Sequence, residues 1–150
     1  MKAVVQRVMN ASVVISENDY SEKIGQGLLV LLGIKTGDKI EDVNFVADKC
    51  SKLRIFEDDE GKMNISVKDI NGEVLVISQF TLYGKTSKGN RPSFINAAKP
   101  EEAIPLYEKF IDRMRENLGK DKVKNGIFGA MMDITLVNYG PVTVIVESNL

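Results

Sequence analysis

The sequence of 150 residues contains no histidine and no tryptophan, and Cys50 is its only cysteine. The absence of histidine excludes Ser-His-Asp and Cys-His catalysis, an imidazole general base and a His-ligated metal. A single thiol excludes an internal disulfide, a CxxC redox pair and a cysteine-rich zinc site. We therefore expect no metal and no other cofactor. Cys50 lies in an apolar, helix-like stretch, which predicts a small buried hydrophobic residue.

Extreme charge and long apolar runs are also lacking. The 20 basic and 21 acidic side chains leave a net charge of −1, and the 43% apolar content is typical of a soluble globular protein. The apolar run from Leu28 to Leu32 is too short to cross a bilayer, and Met1-Lys2 leads into strand-like sequence without an apolar signal segment. With one unpaired thiol, these features predict a cytoplasmic protein with no membrane partner and a single domain over residues 1–150.

Hydrophobic patterning predicts about eight short strands. The clearest are rich in β-branched residues, alternate in polarity or form short apolar runs, and they cover residues 3–8, 12–16, 23–24, 28–34, 73–82, 132–136 and 142–147. Asn71-Gly72, just before the 73–82 segment, is a strong hairpin signal because both residues tolerate positive φ.

Two stretches with apolar residues at three- and four-residue spacing predict helices. The first follows Asp38-Lys39-Ile40-Glu41, which resembles a capping box with Asp38 as the N-cap and Glu41 reaching back. The second begins at Pro100 and ends at Gly119, a proline and a glycine in their favoured terminal positions. The order of elements predicts an α+β fold, a mainly antiparallel sheet or barrel with two helices on one side.

Three segments depart from the pattern of generic packing. Residues 78–82 end an apolar strand in hydroxyls and an amide, and residues 138–143 contain a Gly-Pro pair. On composition alone, residues 78–82 are explained by a strand end that faces solvent, and residues 138–143 by an ordinary turn. The third segment, residues 89–94, lies in a basic, glycine-bearing loop over residues 84–92, and a solvated turn and a phosphate contact explain it equally well. The cations of this basic loop are Lys85, Lys88 and Arg91.

Together these segments resemble the bacterial-type D-aminoacyl-tRNA deacylases, and the resemblance runs nearly from end to end. It includes residues 3–8, 27–30, 53–56 and 61–64, and its specific motifs are Ser78-Gln79-Phe80-Thr81-Leu82, Arg91-Pro92-Ser93-Phe94, Phe128-Gly129-Ala130 and Gly140-Pro141-Val142-Thr143. The resemblance implies a β-barrel homodimer that hydrolyses the ester between a D-amino acid and the 3′ end of tRNA.

The resemblance also implies roles for individual residues. Ser78, Gln79, Phe80 and Thr81 would form the catalytic pocket, with Phe128 among the residues that bind the substrate. A cis Gly140-Pro141 bond would reach into the partner subunit's pocket to select the D enantiomer, held in place by the Gln6-Arg7 segment. Two positions depart from the family pattern: Tyr139 stands where aspartate is usual, and Asn125 where threonine is common.

The residue types favour attack by water. Activation of Thr81 as a nucleophile needs an adjacent base, and the nearest lysine is Lys85, so Thr81 is favoured as a positioning residue. Backbone amides around Phe80-Thr81 would stabilise the oxyanion, and the ribose hydroxyl of the tRNA would help to position the water. Two other functions stay open: a dimeric single-stranded RNA-binding module without catalysis, and an esterase for small amino-acid esters.

Overall fold

The computed structural model describes residues 1–148. In chain order, its strands and helices are β1 (Lys2–Ile15), β2 (Tyr20–Ile24), β3 (Gly27–Gly33), α1 (Ile40–Lys52), β4 (Phe56–Glu57), β5 (Met63–Ile65), β6 (Glu73–Ser78), α2 (Pro100–Leu118), β7 (Val123–Asn125) and β8 (Asp133–Glu147). Over residues 1–148, neither helix combines the length and the hydropathy needed to cross a membrane.

Six strands form one sheet, and five of them follow the order β2-β1-β3-β6-β7. β2 and β3 pair with different parts of the long strand β1 along one edge, and the sixth strand, β8, pairs with β1 along its other edge. β1 is antiparallel to β2, β3 and β8, whereas β6 is parallel to β3 and β7. The Tyr20 hydroxyl of β2 donates to the Asn125 carbonyl of β7 over 2.6 Å, so the sheet curls into a nearly closed, barrel-like fold. The predicted combination of a predominant sheet with two helices is confirmed, with the parallel β3–β6–β7 pairs as the unforeseen part.

The sheet is buried on both faces. Along β3, Leu28, Val30 and Leu32 join the core that α1 and α2 cover, while Leu29 joins a second core formed with β1, β2 and β6. Because successive side chains of a strand point to opposite faces, an unbroken apolar strand suits this position. Cys50 of α1 is buried in the core that the two helices cover, as predicted, and burial raises the pKa of its thiol to about 12.

Several predicted strand boundaries are wrong. The strands predicted at 3–8 and 12–16 are one strand, β1, because β8 pairs with almost its whole length. The strand predicted at 73–82 ends at Ser78, where the chain turns into a short 3₁₀ segment, Phe80–Tyr83. Asn71 does adopt φ 53°, but its turn leads from β5 to β6, which belong to different sheets, so no hairpin forms.

The helix termini are partly as predicted. The N-cap of α1 is Lys39, one residue later than predicted, because the Lys39 N–H donates to Asp42 Oδ2 over 2.8 Å. Asp38 instead accepts hydrogen bonds from the Met1 amino group at 2.7 Å and the Lys35 N–H at 2.8 Å. The second helix begins at Pro100 and is closed by Gly119, which has φ 110°.

Candidate active site

The 78–80 segment forms one wall of an open surface cleft of about 380 Å³. β6 and β7 are parallel, so their carboxyl ends meet at the same edge of the sheet, and the chain beyond β7 lies beside the chain beyond β6. The lining residues are Ile77, Ser78, Gln79, Phe80, Phe128, Gly129, Ala130, Met131, Met132 and Ile134. None of these side chains is ionisable, so the cleft walls contain no general acid or base.

Two backbone donors stand free at the cleft margin. The Gln79 N–H donates to the Leu32 carbonyl over 2.7 Å and the Leu82 N–H donates to the Gln79 carbonyl over 3.2 Å. Within residues 1–148, the N–H groups of Phe80 and Thr81 between them have no protein acceptor. Adjacent amides of this kind can stabilise negative charge that develops on a carbonyl oxygen.

The Thr81 hydroxyl is exposed and lies next to the cleft. Its partner is the side-chain amide of Gln79, whose Nε2 donates to Thr81 Oγ1. An amide orients a hydroxyl but does not remove its proton, so this contact suits a positioning residue better than an activated nucleophile.

The basic loop packs beside the same cleft. Lys85 and Ser93 exchange two backbone hydrogen bonds of 2.8 and 3.0 Å, which close the loop at its base. The Phe94 ring meets the Phe80 ring edge to face, with centroids 5.1 Å apart. This contact brings a cationic surface next to the cleft, and its exposed side chains are Lys85, Lys88 and Arg91.

A tyrosine of α2 anchors the opposite wall. The Tyr107 hydroxyl contacts two carbonyl oxygens, that of Val76 at 3.1 Å and that of Gly126 at 2.9 Å, and so ties β6 to the segment after β7. Its ring also packs edge to face on Phe128, with centroids 5.8 Å apart. Burial raises the pKa of Tyr107. In the sequence this residue reads only as part of the apolar face of α2, and no local signal marks its role.

The Gly-Pro segment forms a bulge in β8. Gln6 pairs with Thr143 and Val8 with Asn138, so a two-residue step along β1 faces a five-residue step along β8. The extra residues protrude from the sheet, and the Gly140–Pro141 peptide bond within them is cis. Gly140 has φ 145°, and a Cβ at this position would lie 2.7 Å from Val142 Cγ2. Only glycine fits here without displacing the bulge.

Side chains of β1 and β8 hold this bulge. Arg7, which is 4% exposed, donates from Nε to the Tyr139 carbonyl and from Nη1 to the Ile55 carbonyl, both over 2.8 Å. Asn138 Oδ1 accepts from the Val142 N–H at 2.8 Å and so closes the bulge. Gln6 and Asn138 both donate to Thr143 Oγ1, at 3.3 and 3.1 Å.

Within one chain, the residues predicted for catalysis and substrate binding fall into two groups, apart from the three cations of the basic loop. Ser78, Gln79, Phe80 and Phe128 line the cleft, and Thr81 adjoins it. Gly140, Pro141 and Arg7 line a different and more open depression together with Glu57, Gly61 and Met63. The cleft residues Met131, Met132 and Ile134 and the depression residues Glu57 and Met63 have no sequence signal beyond their proximity to motifs.

A family model and a named relative identify the family of this chain. The family model described as D-Tyr-tRNA(Tyr) deacylase matches residues 4–147. A Flavobacterium psychrophilum protein named D-aminoacyl-tRNA deacylase is 55% identical over 148 residues, which cover 99% of this chain and 97% of that protein. A solved structure titled "c-Myc DNA Unwinding Element Binding Protein" is similar over the full length of both chains, with a TM-score of 0.93 and 41% identity. Another, titled "Structural Analysis of a probable eukaryotic D-amino acid tRNA deacylase", has a TM-score of 0.83 at 17% identity over 98% of each chain, a similarity of fold.

Proposed function

The chain belongs to the D-Tyr-tRNA(Tyr) deacylase family, and from that premise we propose that it is a hydrolase that cleaves the ester of D-aminoacyl-tRNA. The products are the free D-amino acid and tRNA, and residues 1–150 act as one deacylase domain in the cytoplasm. The observation that carries the proposal is that the N–H groups of Phe80 and Thr81 have no acceptor among residues 1–148 and lie beside a cleft whose lining residues are not ionisable. This arrangement suits an ester that is already activated.

In the proposed mechanism, water attacks the carbonyl carbon of the aminoacyl ester. The carbonyl oxygen becomes an oxyanion and accepts hydrogen bonds from the Phe80 and Thr81 N–H groups. Each such donor contributes about 2.7–4 kcal/mol to the stability of the transition state. The bond to the ribose oxygen then breaks, and that oxygen takes the proton that the attacking water loses. The neighbouring ribose hydroxyl orients the water, because no protein side chain in the cleft is a base. Ser78 and Gln79 orient the ester, the latter together with Thr81.

We also propose that the protein acts as a homodimer in which each bulge enters the partner's cleft. One chain alone keeps Gly140-Pro141 away from the cleft, so the two groups of site residues meet only across an interface. Apolar side chains that the β1–β8 pair exposes support such an interface. Val14, Val137 and Ile145 are all exposed, and exposed apolar surface of this kind favours burial against a second copy.

Selection of the D enantiomer follows from the shape of the inserted bulge. At Cα, the two enantiomers exchange hydrogen and side chain. Main chain at Gly140-Pro141 leaves room for hydrogen on one side and rejects a side chain there, so discrimination needs no chemical group. The exposed cations Lys85, Lys88 and Arg91 then bind phosphates near the single-stranded 3′ end.

Single-turnover deacylation of glycyl-, D-alanyl- and L-alanyl-tRNA tests this scheme. Glycine presents hydrogen to the bulge in either orientation, so we expect hydrolysis of glycyl- and D-alanyl-tRNA while L-alanyl-tRNA is spared. If glycyl-tRNA resists as strongly as L-alanyl-tRNA, steric exclusion is wrong. Binding of charged tRNA without turnover would instead identify an RNA-binding module, and hydrolysis of small amino-acid esters without RNA would identify an esterase.

A further inference from the structure

Tyr139 places an aromatic ring over a buried cation. The Arg7 guanidinium carbon lies 4.9 Å from the centre of the Tyr139 ring, and the Arg7 residue is 4% exposed. Within residues 1–148, no carboxylate forms a salt bridge with Arg7. A buried charge is destabilising unless other groups compensate for it. The groups that contact Arg7 are two carbonyl oxygens and the Tyr139 ring, while Glu57 lines the same depression without a salt bridge to it.

We propose that Tyr139 is a positioning residue and that its stacking on Arg7 sets the position of the Gly140-Pro141 bulge. The selectivity for D over L substrates then depends on this stacking rather than on an ion pair. The part of the inference that concerns selectivity rests on the proposed function.

The main chain and the side chain of Tyr139 both contact the Arg7 guanidinium. The Tyr139 carbonyl accepts from Arg7 Nε over 2.8 Å, and the same guanidinium lies over the Tyr139 ring. Nη2 of Arg7 would lie 3.1 Å from a Cβ at position 140, so the guanidinium also contacts Gly140. The residue before the glycine and the glycine itself are therefore positioned by one planar group.

The bulge depends on such side-chain contacts because it lies outside the strand ladder. The register with β1 passes directly from Thr143 to Asn138, so the residues between them have no backbone pairing partner on β1. Without the ring, water reaches the guanidinium and competes for its hydrogen bond to the Tyr139 carbonyl. The bulge would keep its bonds to Asn138 but lose its fixed distance from β1.

The ring, and not the hydroxyl, is the effective part of this side chain. The Tyr139 hydroxyl makes no hydrogen bond with residues 1–148. Tyr139→Phe therefore keeps the proposed contact, whereas Tyr139→Leu removes the ring and leaves a smaller apolar side chain. The matched control is Phe45→Leu, which removes a ring that lies 5.6 Å from Lys49 Nζ on α1.

The test measures single-turnover deacylation of D-tyrosyl- and L-tyrosyl-tRNA by the full-length variants. We expect Tyr139→Leu to lower the D/L rate ratio by about five- to thirtyfold, the range that corresponds to a lost cation–π contact. Tyr139→Phe and Phe45→Leu should stay within about twofold of the wild type, and melting temperatures confirm that each variant folds. An unchanged ratio in folded Tyr139→Leu, while the wild type is active and selective, overturns the proposal and leaves the proposed function intact.

A second measurement is independent of catalysis. The ring current of Tyr139 should shift the NMR signal of the Arg7 Nε–H group upfield. That shift should persist in Tyr139→Phe and disappear in Tyr139→Leu. If the wild type does not deacylate tRNA, the proposed function fails, and this comparison alone decides whether the ring positions Arg7. An Arg7 signal that is the same in Tyr139→Leu refutes the stacking.

Discussion

Gly140→Ala tests the shape of the bulge most directly. The added Cβ would lie 2.7 Å from Val142 Cγ2 and 2.9 Å from the Val142 nitrogen, where ordinary contact begins at 3.4 Å. A residue other than glycine at φ 145° lowers the free energy of unfolding by about 1–2 kcal/mol. The overlap of the added Cβ with Val142 lowers it by about 1–3 kcal/mol more if nothing moves. Because the bulge lies on the surface, we expect it to shift by about 0.7 Å instead of unfolding the protein.

Gly37→Ala is the matched control. Gly37 also has a positive φ, 86°, but a Cβ there meets no atom within 4 Å. Each variant should lower the melting temperature by a few degrees, since about 1 kcal/mol corresponds to about 2–4 °C in a domain of this size. Only Gly140→Ala should impair catalysis, because misplacement of a group by about 1 Å can cost about a hundredfold in rate.

The assay is single-turnover deacylation of D-tyrosyl- and L-tyrosyl-tRNA at saturating enzyme. We expect Gly140→Ala to reduce the D rate by about ten- to a hundredfold and to narrow the D/L ratio, with Gly37→Ala close to the wild type. If folded Gly140→Ala keeps both the D rate and the ratio within twofold, the bulge does not select the substrate and the reasoning fails.

Three further predictions concern the oxyanion donors, the sheet and one ion pair. Thr81→Ala should retain measurable deacylation, because the proposed donors are backbone amides; complete loss with the fold and tRNA binding intact, or an acyl-enzyme on Thr81, would contradict water attack. Gly27→Ala should destabilise the protein by more than about 3 kcal/mol in urea unfolding, because the added Cβ would lie 1.7 Å from the Glu73 carbonyl oxygen between β3 and β6; a wild-type midpoint would refute this. Hydrogen bonds from Arg113 lower the pKa of Asp48 to about 2. Asp48→Asn should therefore lose about 1 kcal/mol at pH 7, after allowance for screening by solvent. That difference should be complete above about pH 4 and vanish as the pH falls towards 2, so a difference independent of pH would exclude the ion pair as its cause.

Much of the fold could be predicted because its signals are local. Apolar periodicity identified both helices, Gly119 marked the end of the second, and the apolar run at 28–34 identified the strand buried on both faces. The errors arose where pairing between distant segments decides the bounds of a strand. β1 continues without a break because β8, more than 100 residues later, pairs along it, and residues 73–82 end as a strand at Ser78 because the chain beyond has no strand partner.

The sequence by itself determined the chemistry that this protein lacks and the motifs that it carries. The absence of histidine and the single cysteine excluded the commonest catalytic groups, and the Ser78–Leu82 and Gly140–Thr143 motifs identified both groups of predicted site residues. Only the tertiary structure decided that these groups occupy different depressions of one chain, that two amides have no acceptor within residues 1–148, and that the Arg7 guanidinium lies over the Tyr139 ring. The physical reason is that backbone propensity acts over a few residues, whereas strand register and packing join residues 132 positions apart.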